Sequence, residues 1–527
     1  MPNRRDFLKT AAAAGGWLAY KGLTGSNPLL AAPKKKFPPG AWGGNMPTWC
    51  HDLVRDGGKI PQVAPSRRVD VCVVGGGLAG LCAAYKLRDT NVLVLEHLDR
   101  IGGHAVRDRW NDIWYSGAAA YFVEPEEPLS TLYSDLKLPY KEIAEPSDSA
   151  ILAWNRILDT FGSGIDKLPY PAAAKKDFAR FKRDLMAIYD GDDLPLMPLS
   201  ETSDASRQYD RTNFADWMLE EKKYHPAVKA YVDLYARSAF AAPSSREVST
   251  FAFLNFYTSE FYPRYTFPGG NALAAERLRD EIDAAGENRI LSNATAVRVE
   301  PKGDAVLVTH IDKAGRFSAV EARVVIMASP KYISKHLVAG LPKDQEAAMS
   351  ELKYGSYVVA NVLCSSAISE NSYDTWVDTA PFTDFVVADW VARGSDKKAT
   401  KPQQVLTVYY PVGYDKGMLL TDSAYDLYRD AVVEHLGYFF PGCESKIEDV
   451  RLNRWGHALC HAAPGWYTQK SELAKRPVGK VLWAHSDNQG LPAFESALPE
   501  GLAAAEAART MLGRVTLAGY SRAVSAS

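Results

Sequence analysis

The chain has 527 residues, of which 46% are hydrophobic and 24% are charged, and this balance is typical of a folded globular protein rather than a disordered one. Lysine and arginine total 61 against 63 acidic residues, so the composition offers no electrostatic footprint for a nucleic-acid partner. At this length we expect two or three domains.

The first predicted element is an export signal. Arg4 and Arg5 precede a short apolar run, TAAAAGGWLAY, which is followed by Lys21. Paired arginines are also found in an ordinary basic N-terminus, but charge, short apolar run and charge together are typical of a twin-arginine signal peptide. We therefore expect residues 1–32 to direct the protein through the twin-arginine machinery to the periplasm or beyond. The apolar run is shorter than the roughly 20 residues that a membrane helix needs.

A glycine-rich turn is the next informative feature. Residues 69–74, VDVCVV, form an apolar run suited to a buried parallel strand, and residues 78–87 have a helical pattern. Between them lie Gly75, Gly77 and Gly80, with the GxGxxG spacing of a dinucleotide-binding turn. The first glycine permits the tight turn, the second lets a pyrophosphate approach, and the third lets helix and strand pack closely. A glycine turn without a ligand is the alternative.

The residues after the turn extend the pattern. The second strand, NVLVLE, ends at Glu96, at the separation of about 20 residues expected for the acid that binds a ribose diol. It is followed by HLDRIGGHA, which contains Arg100, Gly102 and Gly103. This combination resembles the flavin amine oxidase superfamily, which includes monoamine, polyamine and L-amino-acid oxidases. The resemblance implies FAD as cofactor, although His104 stands where the family usually has arginine.

The resemblance also implies a fold of the α/β class. A Rossmann-like FAD domain with two dinucleotide-binding halves is interleaved with an α+β substrate-binding domain, and a Pro-, Gly- and Lys-rich arm precedes both. The predicted division is 33–66 for the arm, 67–125, 266–345 and 451–515 for the FAD-binding domain, and 126–265 and 346–450 for the substrate-binding domain.

Three further FAD contacts follow from the resemblance. Ala296 lies where the family backbone meets adenine. Asp487 has the spacing of the acid that binds the ribityl chain, with a simple helix-capping role as the alternative. Phe494 lies in the first turn of a C-terminal helix whose positive end would stabilise the anion of the reduced flavin, and Pro499 should kink that helix.

The resemblance assigns the catalytic residues as well. In polyamine oxidases a lysine holds a water near flavin N5, and the matching position is Lys335; the alternative is an exposed helix lysine, for which Lys331 serves as the comparison. Trp466 and Tyr467 are candidates for an aromatic wall that guides the amine, with core packing as the alternative. Trp466 also stands where some monoamine oxidases have the cysteine that bonds to the flavin, so we expect non-covalent FAD. No metal site is expected.

The substrate is less clearly indicated. The arginine that captures the substrate carboxylate in L-amino-acid oxidases is matched by Ala120, which favours an amine without an α-carboxylate unless another arginine, with Arg264 as the reserve candidate, does this task. Aromatic residues crowd between Tyr231 and Phe267, and they form either core or an apolar tunnel.

Together these features predict an exported FAD-dependent amine oxidase. It would oxidise a C–N bond of a small amine to an imine by hydride transfer to the flavin, and pass the electrons to oxygen or a periplasmic carrier. One alternative is an FAD-dependent carbon–carbon desaturase or isomerase acting on an apolar substrate. Another is a non-catalytic flavin-binding partner protein. The oligomeric state is left open.

Overall fold

The computed structural model describes residues 37–45, 51–393 and 402–513. Within these residues we number the strands β1–β20 and the helices of at least seven residues α1–α10 along the chain. The predicted signal peptide, residues 1–32, lies outside the described residues. None of the described helices is long and apolar enough to cross a membrane.

A seven-stranded sheet forms the centre of the predicted FAD-binding part. Its order is β11-β3-β2-β14-β13-β12, with β20 also paired to β14. The pairs around β2 are parallel, and β12–β14 form an antiparallel edge. The strands are β2 (Arg67–Val74), β3 (Val92–Leu95), β11 (Ile290–Leu291), β12 (Ala294–Lys302), β13 (Ala305–Asp312), β14 (Phe317–Met327) and β20 (Val481–Trp483). All four residues of β3 are buried, as expected for a parallel strand covered on both faces.

Helices pack closely on this sheet. The helix that follows the glycine turn is α1 (Leu78–Lys86), and it contacts both α6 (Ala272–Ala284) and the C-terminal helix α10 (Phe494–Met511). A Cβ atom at Gly501 of α10 would lie 2.3 Å from the carbonyl oxygen of Ala79, so glycine is needed for this approach. The helix continues through Pro499, and the predicted kink therefore does not end it.

A second sheet of eight strands belongs to the predicted substrate-binding part. Its order is β1-β19-β15-β18-β17-β16-β8-β9. The strands are β1 (Gly43–Gly44), β8 (Asp148–Leu152), β9 (Asn155–Leu158), β15 (Lys353–Cys364), β16 (Asp374–Val377), β17 (Asp384–Val387), β18 (Gln404–Gly413) and β19 (Ile447–His461). The predicted arm contributes β1, which runs parallel to β19. Residues 451–461 also pair in this sheet, although the predicted boundary at 451 placed them in the FAD-binding domain.

Helices and two small sheets complete the fold. The small sheets are β4 (Arg107–Trp110) with β5 (Ile113–Ser116), and β10 (Arg264–Thr266) between β6 (Phe122–Val123) and β7 (Lys141–Glu142). The other helices are α2 (Leu129–Asp135), α3 (Ala172–Tyr189), α4 (Pro226–Phe240), α5 (Thr250–Tyr257), α7 (Lys331–Leu337), α8 (Lys343–Ser350) and α9 (Ala424–Phe439). The predicted class, a Rossmann-like α/β part joined to an α+β part, is confirmed.

Candidate functional site

One large cavity connects the two parts of the fold. Its volume is about 2180 Å³, whereas a pocket for a single drug-sized ligand measures roughly 300–1,000 Å³. Gly77 and Glu96 line it from the FAD-binding part, and Trp376 and Tyr409 line it from the substrate-binding part. The cavity therefore has room for a dinucleotide and a substrate together.

Two of the three glycines of the turn, Gly75 and Gly80, meet the steric requirements that their spacing predicts. Gly75 has a φ of +117°, and a Cβ atom there would lie 2.7 Å from the carbonyl oxygen of Ala328. A Cβ atom at Gly80 would lie 2.0 Å from the carbonyl oxygen of Gly75, so this glycine serves the packing of helix on strand. At Gly77 the nearest atom to an added Cβ is the Cα of Gly103, at 3.9 Å, and both glycines line the cavity. Gly77 leaves its space to a ligand at the uncapped N-terminus of α1, where N–H groups favour a phosphate.

Glu96 lines the same end of the cavity and is only 6% exposed. Its two carboxylate oxygens accept hydrogen bonds from the backbone N–H groups of Gly76 and Leu98, each at 2.7 Å. Burial raises the pKa of Glu96, and these N–H groups partly offset the rise. Each oxygen keeps accepting capacity, so the carboxylate fits the predicted contact to a ribose diol.

The double-glycine loop is stabilised by Arg100, on the side away from the cavity. Arg100 donates to the carbonyl oxygen of Gly103 at 2.9 Å and to that of Gly44 at 3.3 Å, and it does not line the cavity. Arg100 therefore links the double-glycine loop to the N-terminal arm and stabilises both. Gly102 needs glycine for its φ of +100°. His104 does line the cavity, but burial lowers its pKa to about 4, so a neutral imidazole replaces the positive charge usual in the family.

Asp487 is the acid predicted to bind the ribityl chain of the cofactor. It is 2% exposed, lines the cavity, and accepts hydrogen bonds from the Lys331 backbone N–H at 2.8 Å and from the Tyr354 hydroxyl at 2.5 Å. Burial alone would raise the pKa of Asp487, but His485 and these hydrogen bonds hold it below its usual value. The carboxylate caps the N-terminus of α7, the alternative role, and also reaches the cavity. Its contact with the ribityl chain stays a prediction.

Ala296 and Phe494 also line the cavity. The pairing of β12 with β13 shifts register between Ala296 and Arg298, which interrupts the ladder where the family backbone meets adenine. Phe494 begins α10, and the preceding residue provides no side-chain cap. The first-turn N–H groups other than that of Glu495, which bonds its own carboxylate, are therefore open to a ligand, as the predicted contact to the flavin requires.

Neither lysine of α7 lines the cavity, and the buried one is Lys331 rather than Lys335. Lys335 donates from Nζ to the Ser350 hydroxyl at 2.8 Å and does not line the cavity. Lys331, the comparison, is 1% exposed; its Nζ donates to Asn488 Oδ1 at 2.6 Å and lies 5.0 Å from the centre of the Trp483 ring. Burial lowers the pKa of Lys331 to about 8. The geometry does not support Lys335 near the flavin, because its ammonium group is held by Ser350 at the end of α8.

Trp466 and Tyr467 lie in the core. They are 2% and 0% exposed, and neither lines the cavity. The Trp466 indole donates to the Ala348 carbonyl at 3.0 Å, and the Tyr467 hydroxyl donates to the Gly490 carbonyl at 2.8 Å. Core packing, the alternative interpretation, accounts for both. Other aromatic side chains line the cavity, among them Tyr121, Tyr235, Tyr357, Trp376 and Tyr409.

Arg264 is committed to other partners. It is 3% exposed and forms ion pairs with Asp148 at 3.1 Å, Glu260 at 3.2 Å and Asp374 at 3.7 Å. It does not line the cavity, whereas Ala120 does. Arg264 is therefore not placed to capture a substrate carboxylate.

Glu260 and Asp384 are among the carboxylates of the cavity lining that the sequence did not single out. Glu260 accepts from the hydroxyls of Tyr235 at 3.0 Å and Tyr121 at 3.2 Å. Asp384 is 4% exposed and accepts from the Thr383 hydroxyl at 2.6 Å. Burial raises the pKa of Glu260, and it raises that of Asp384 to about 7. Neither residue belongs to a motif with a recognisable spacing. Asp384 begins an otherwise apolar strand, and Glu260 lies in a short helical turn.

Comparisons with known proteins agree with this arrangement. The family model described as "Flavin containing amine oxidoreductase" matches residues 78–509. "Oxidoreductase PigB" of Serratia sp. (strain ATCC 39006) is 22% identical over 514 residues, covering 84% of this chain and 75% of the relative. The solved structure of cyclohexylamine oxidase from Brevibacterium oxydans IH-35A superposes with a TM-score of 0.66 at 20% identity, over 85% of this chain and 100% of that one. Putrescine oxidase bound to putrescine gives 0.67 at 18% identity, over 85% and 99%.

Proposed function

The chain belongs to the flavin-containing amine oxidoreductases, and on this premise we propose that it oxidises a C–N bond of a small amine to an imine outside the cytoplasm. It is an FAD-dependent oxidoreductase, and its cofactor is non-covalent FAD. When bound, FAD supplies the acceptor for a hydride equivalent. The remaining task of the protein is to hold the cofactor, admit an amine and orient it.

The cofactor end of the cavity fits this group. Gly77 and Gly103 leave open space at the N-terminus of α1, and Glu96 offers carboxylate oxygens beside it. The uncapped start of α10 supplies a second set of backbone N–H groups. A phosphate at the first helix and an electron-rich ring edge at the second are what such donors bind.

The aromatic lining is the observation that supports an amine as substrate. Tyr235, Tyr357, Tyr409 and Trp376 line the cavity from α4 and the eight-stranded sheet. The faces of such rings attract a cationic or partly positive nitrogen, by about 0.5–2 kcal/mol each. Ala120 offers no charge to a substrate carboxylate at the position where L-amino-acid oxidases have arginine. An amine without an α-carboxylate fits this surface.

Anaerobic titration of the purified holoprotein tests the proposal. We expect a primary or secondary amine to bleach the flavin absorbance, while the alcohol with the same carbon skeleton leaves it unchanged. Hydrogen peroxide formed in air would identify oxygen as the acceptor, and its absence would indicate a carrier. A flavin that stays oxidised with every member of a broad amine panel would contradict amine oxidation.

One observation favours the second candidate, oxidation of a carbon–carbon bond in an apolar substrate. Lys335, the lysine predicted to hold a water near flavin N5, donates a hydrogen bond to Ser350 and does not line the cavity. Flavin bleaching by apolar ring compounds, but by no amine, would support this candidate.

The site of action is the remaining part of the proposal. The pattern around Arg4 and Arg5 supports export of the folded holoprotein, because FAD is loaded in the cytoplasm. Replacing Arg4 and Arg5 together by lysine should leave the flavoprotein in the cytoplasmic fraction of the producing cells. The same yield in the periplasm would contradict export by this route.

A further inference from the structure

The substrate end of the cavity holds an unusual concentration of carboxylates. In the pairing of β8 with β16, Asp148 and Asp374 lie directly opposite each other, an arrangement of like charges that destabilises a sheet. Glu260 and Asp384 lie close enough to Asp374 to raise its pKa further. The group comprises four carboxylates from four separate elements of the chain.

The guanidinium of Arg264 forms ion pairs with three of these four carboxylates. Arg264 reaches Asp148, Glu260 and Asp374 at 3.1, 3.2 and 3.7 Å. Both carboxylate oxygens of Asp374 are buried without a hydrogen-bond partner. Among the described residues, no cationic side chain comes within 4.0 Å of Asp384; the Arg237 guanidinium, which interacts with it at longer range, donates to the Pro381 carbonyl.

With all four carboxylates ionised, the negative charge would exceed what the protein itself neutralises. A buried charge is stable only when it is paired, and without a partner it takes up a proton instead. Burial raises the pKa of Asp374 well above its ordinary value and that of Asp384 to about 7. A cation bound at this end would favour the ionised form of these carboxylates and balance their charge.

Two of the four carboxylates are open to the cavity, and aromatic rings flank them. Glu260 and Asp384 line it together with Tyr235, Tyr357 and Trp376. Carboxylate oxygens accept the N–H groups of an ammonium, and ring faces attract its charge. This is the chemistry that recognises an alkylammonium group held away from water.

We propose that Glu260 and Asp384 bind a second cationic group of the substrate, so that the molecule oxidised is a diamine or a longer polyamine. The inference rests on the proposed amine oxidation, which concerns the other end of the substrate. The reacting nitrogen must be neutral to release a hydride from the neighbouring carbon, whereas the distal nitrogen binds as an ammonium. A monoamine would leave the carboxylates uncompensated.

Anaerobic flavin titration with hexylamine and hexamethylenediamine tests the proposal, because the two differ only in the distal nitrogen. A hydrogen bond to a charged group is worth about 1.5–3 kcal/mol, so we expect the diamine to bind about 10- to 150-fold more tightly. In Asp384→Asn, which keeps the size of the side chain, this ratio should fall, because one of the two carboxylates that bind the distal ammonium is lost. Asp204→Asn, which removes a carboxylate that is 98% exposed, is the matched control and should keep the wild-type ratio.

Thermal unfolding of the holoprotein separates this proposal from the function on which it rests. If neither amine bleaches the flavin but the diamine alone raises the wild-type Tm, and does not raise that of Asp384→Asn, the cation site stands and amine oxidation falls. If both amines bleach the flavin with equal affinity, or the preference for the diamine is undiminished in Asp384→Asn, the cation site is overturned and amine oxidation stands.

Discussion

Substituting alanine at Gly77 and at Gly80 should have opposite consequences, although the two residues lie in one motif. At Gly80 the new Cβ would lie 2.0 Å from the Gly75 carbonyl oxygen and 2.9 Å from the Ala328 Cβ. These contacts can be relieved only if α1 moves away from the backbone on which it packs, and overpacking of this kind typically costs about 1–3 kcal/mol. We expect Gly80→Ala apoprotein to unfold several degrees below the wild type.

At Gly77 the same change should affect the ligand and not the fold. The φ of −73° suits alanine, and the nearest atom to the new Cβ is 3.9 Å away. The methyl group would occupy space at the N-terminus of α1 that the pyrophosphate needs. Loss of one hydrogen bond to a charged group, worth about 1.5–3 kcal/mol, would weaken FAD binding about 10- to 150-fold.

Two measurements on the apoprotein check the pair: thermal unfolding, and FAD titration followed by quenching of flavin fluorescence. Gly417→Ala is the control, since its added Cβ would meet its nearest neighbour at an ordinary 3.4 Å. The reasoning would be refuted if Gly77→Ala bound FAD as tightly as the wild type, or if its apoprotein lost as much stability as Gly80→Ala.

Three further predictions concern residues in or next to the cavity lining. Lys331→Met should weaken FAD binding, because Lys331 holds Asn488 of the cavity lining in place. Lys335→Met should leave FAD binding unchanged, because Lys335 donates to Ser350 instead. Because the folded pKa of Lys331, about 8, lies below its unfolded value of roughly 10.4, the stability of the wild type relative to Lys331→Met should rise between these two pH values; a constant difference in denaturant midpoint would contradict this. Asp487 has a lowered pKa, so its advantage over Asp487→Asn should be present above roughly pH 4 and shrink as the pH falls further; acid titration followed by circular dichroism would show a constant gap if the carboxylate were not stabilised. Trp376→Leu should weaken amine binding about 2- to 30-fold, the equivalent of roughly 0.5–2 kcal/mol, with no change in bound FAD per chain, and unaltered amine affinity would exclude a contact with the substrate.

The cofactor cradle could be predicted because its signal is local and steric. Gly75, Gly77, Gly80 and Glu96 belong to consecutive elements, and the contacts that demand glycine are made within that strand–helix–strand unit or with the adjacent strand. The backbone at Gly75 and Gly80 has no space for a side chain, so the residue type records the geometry directly. Spacing was then sufficient to place the turn.

The lysine of α7 could not be placed in the same way. Lys331 and Lys335 are one helical turn apart, and the number of residues after β14 does not say which end of α7 is covered. The neighbouring residues determine which lysine is buried. Lys331 contacts Asn488 and Trp483, whereas Lys335 donates to Ser350 at the end of α8. Both sets of neighbours come from segments that the spacing argument did not include.

The acidic cluster was beyond prediction for a related reason. Asp148, Glu260 and Asp374 are more than 100 residues apart along the chain, and only the parallel pairing of β8 with β16 and the position of Arg264 bring them together. Each carboxylate taken alone is indistinguishable from a surface acid. The sequence makes Arg264 a candidate partner for a substrate carboxylate, whereas in the structure Arg264 forms ion pairs with carboxylates of the protein.

The two ends of the cavity consequently have opposite electrostatic requirements. The starts of α1 and α10 present N–H groups, which favour negative charge, whereas Glu260 and Asp384 favour positive charge. At an effective dielectric constant of 20, a like charge 4 Å from a carboxylate costs about 4 kcal/mol, so a substrate that brought its own carboxylate to Glu260 and Asp384 would be strongly disfavoured. This discrimination needs no steric barrier, and it agrees with alanine at position 120, where a carboxylate-binding arginine would be required. The charge of the second substrate group, more than its size, is therefore what this end of the cavity can select.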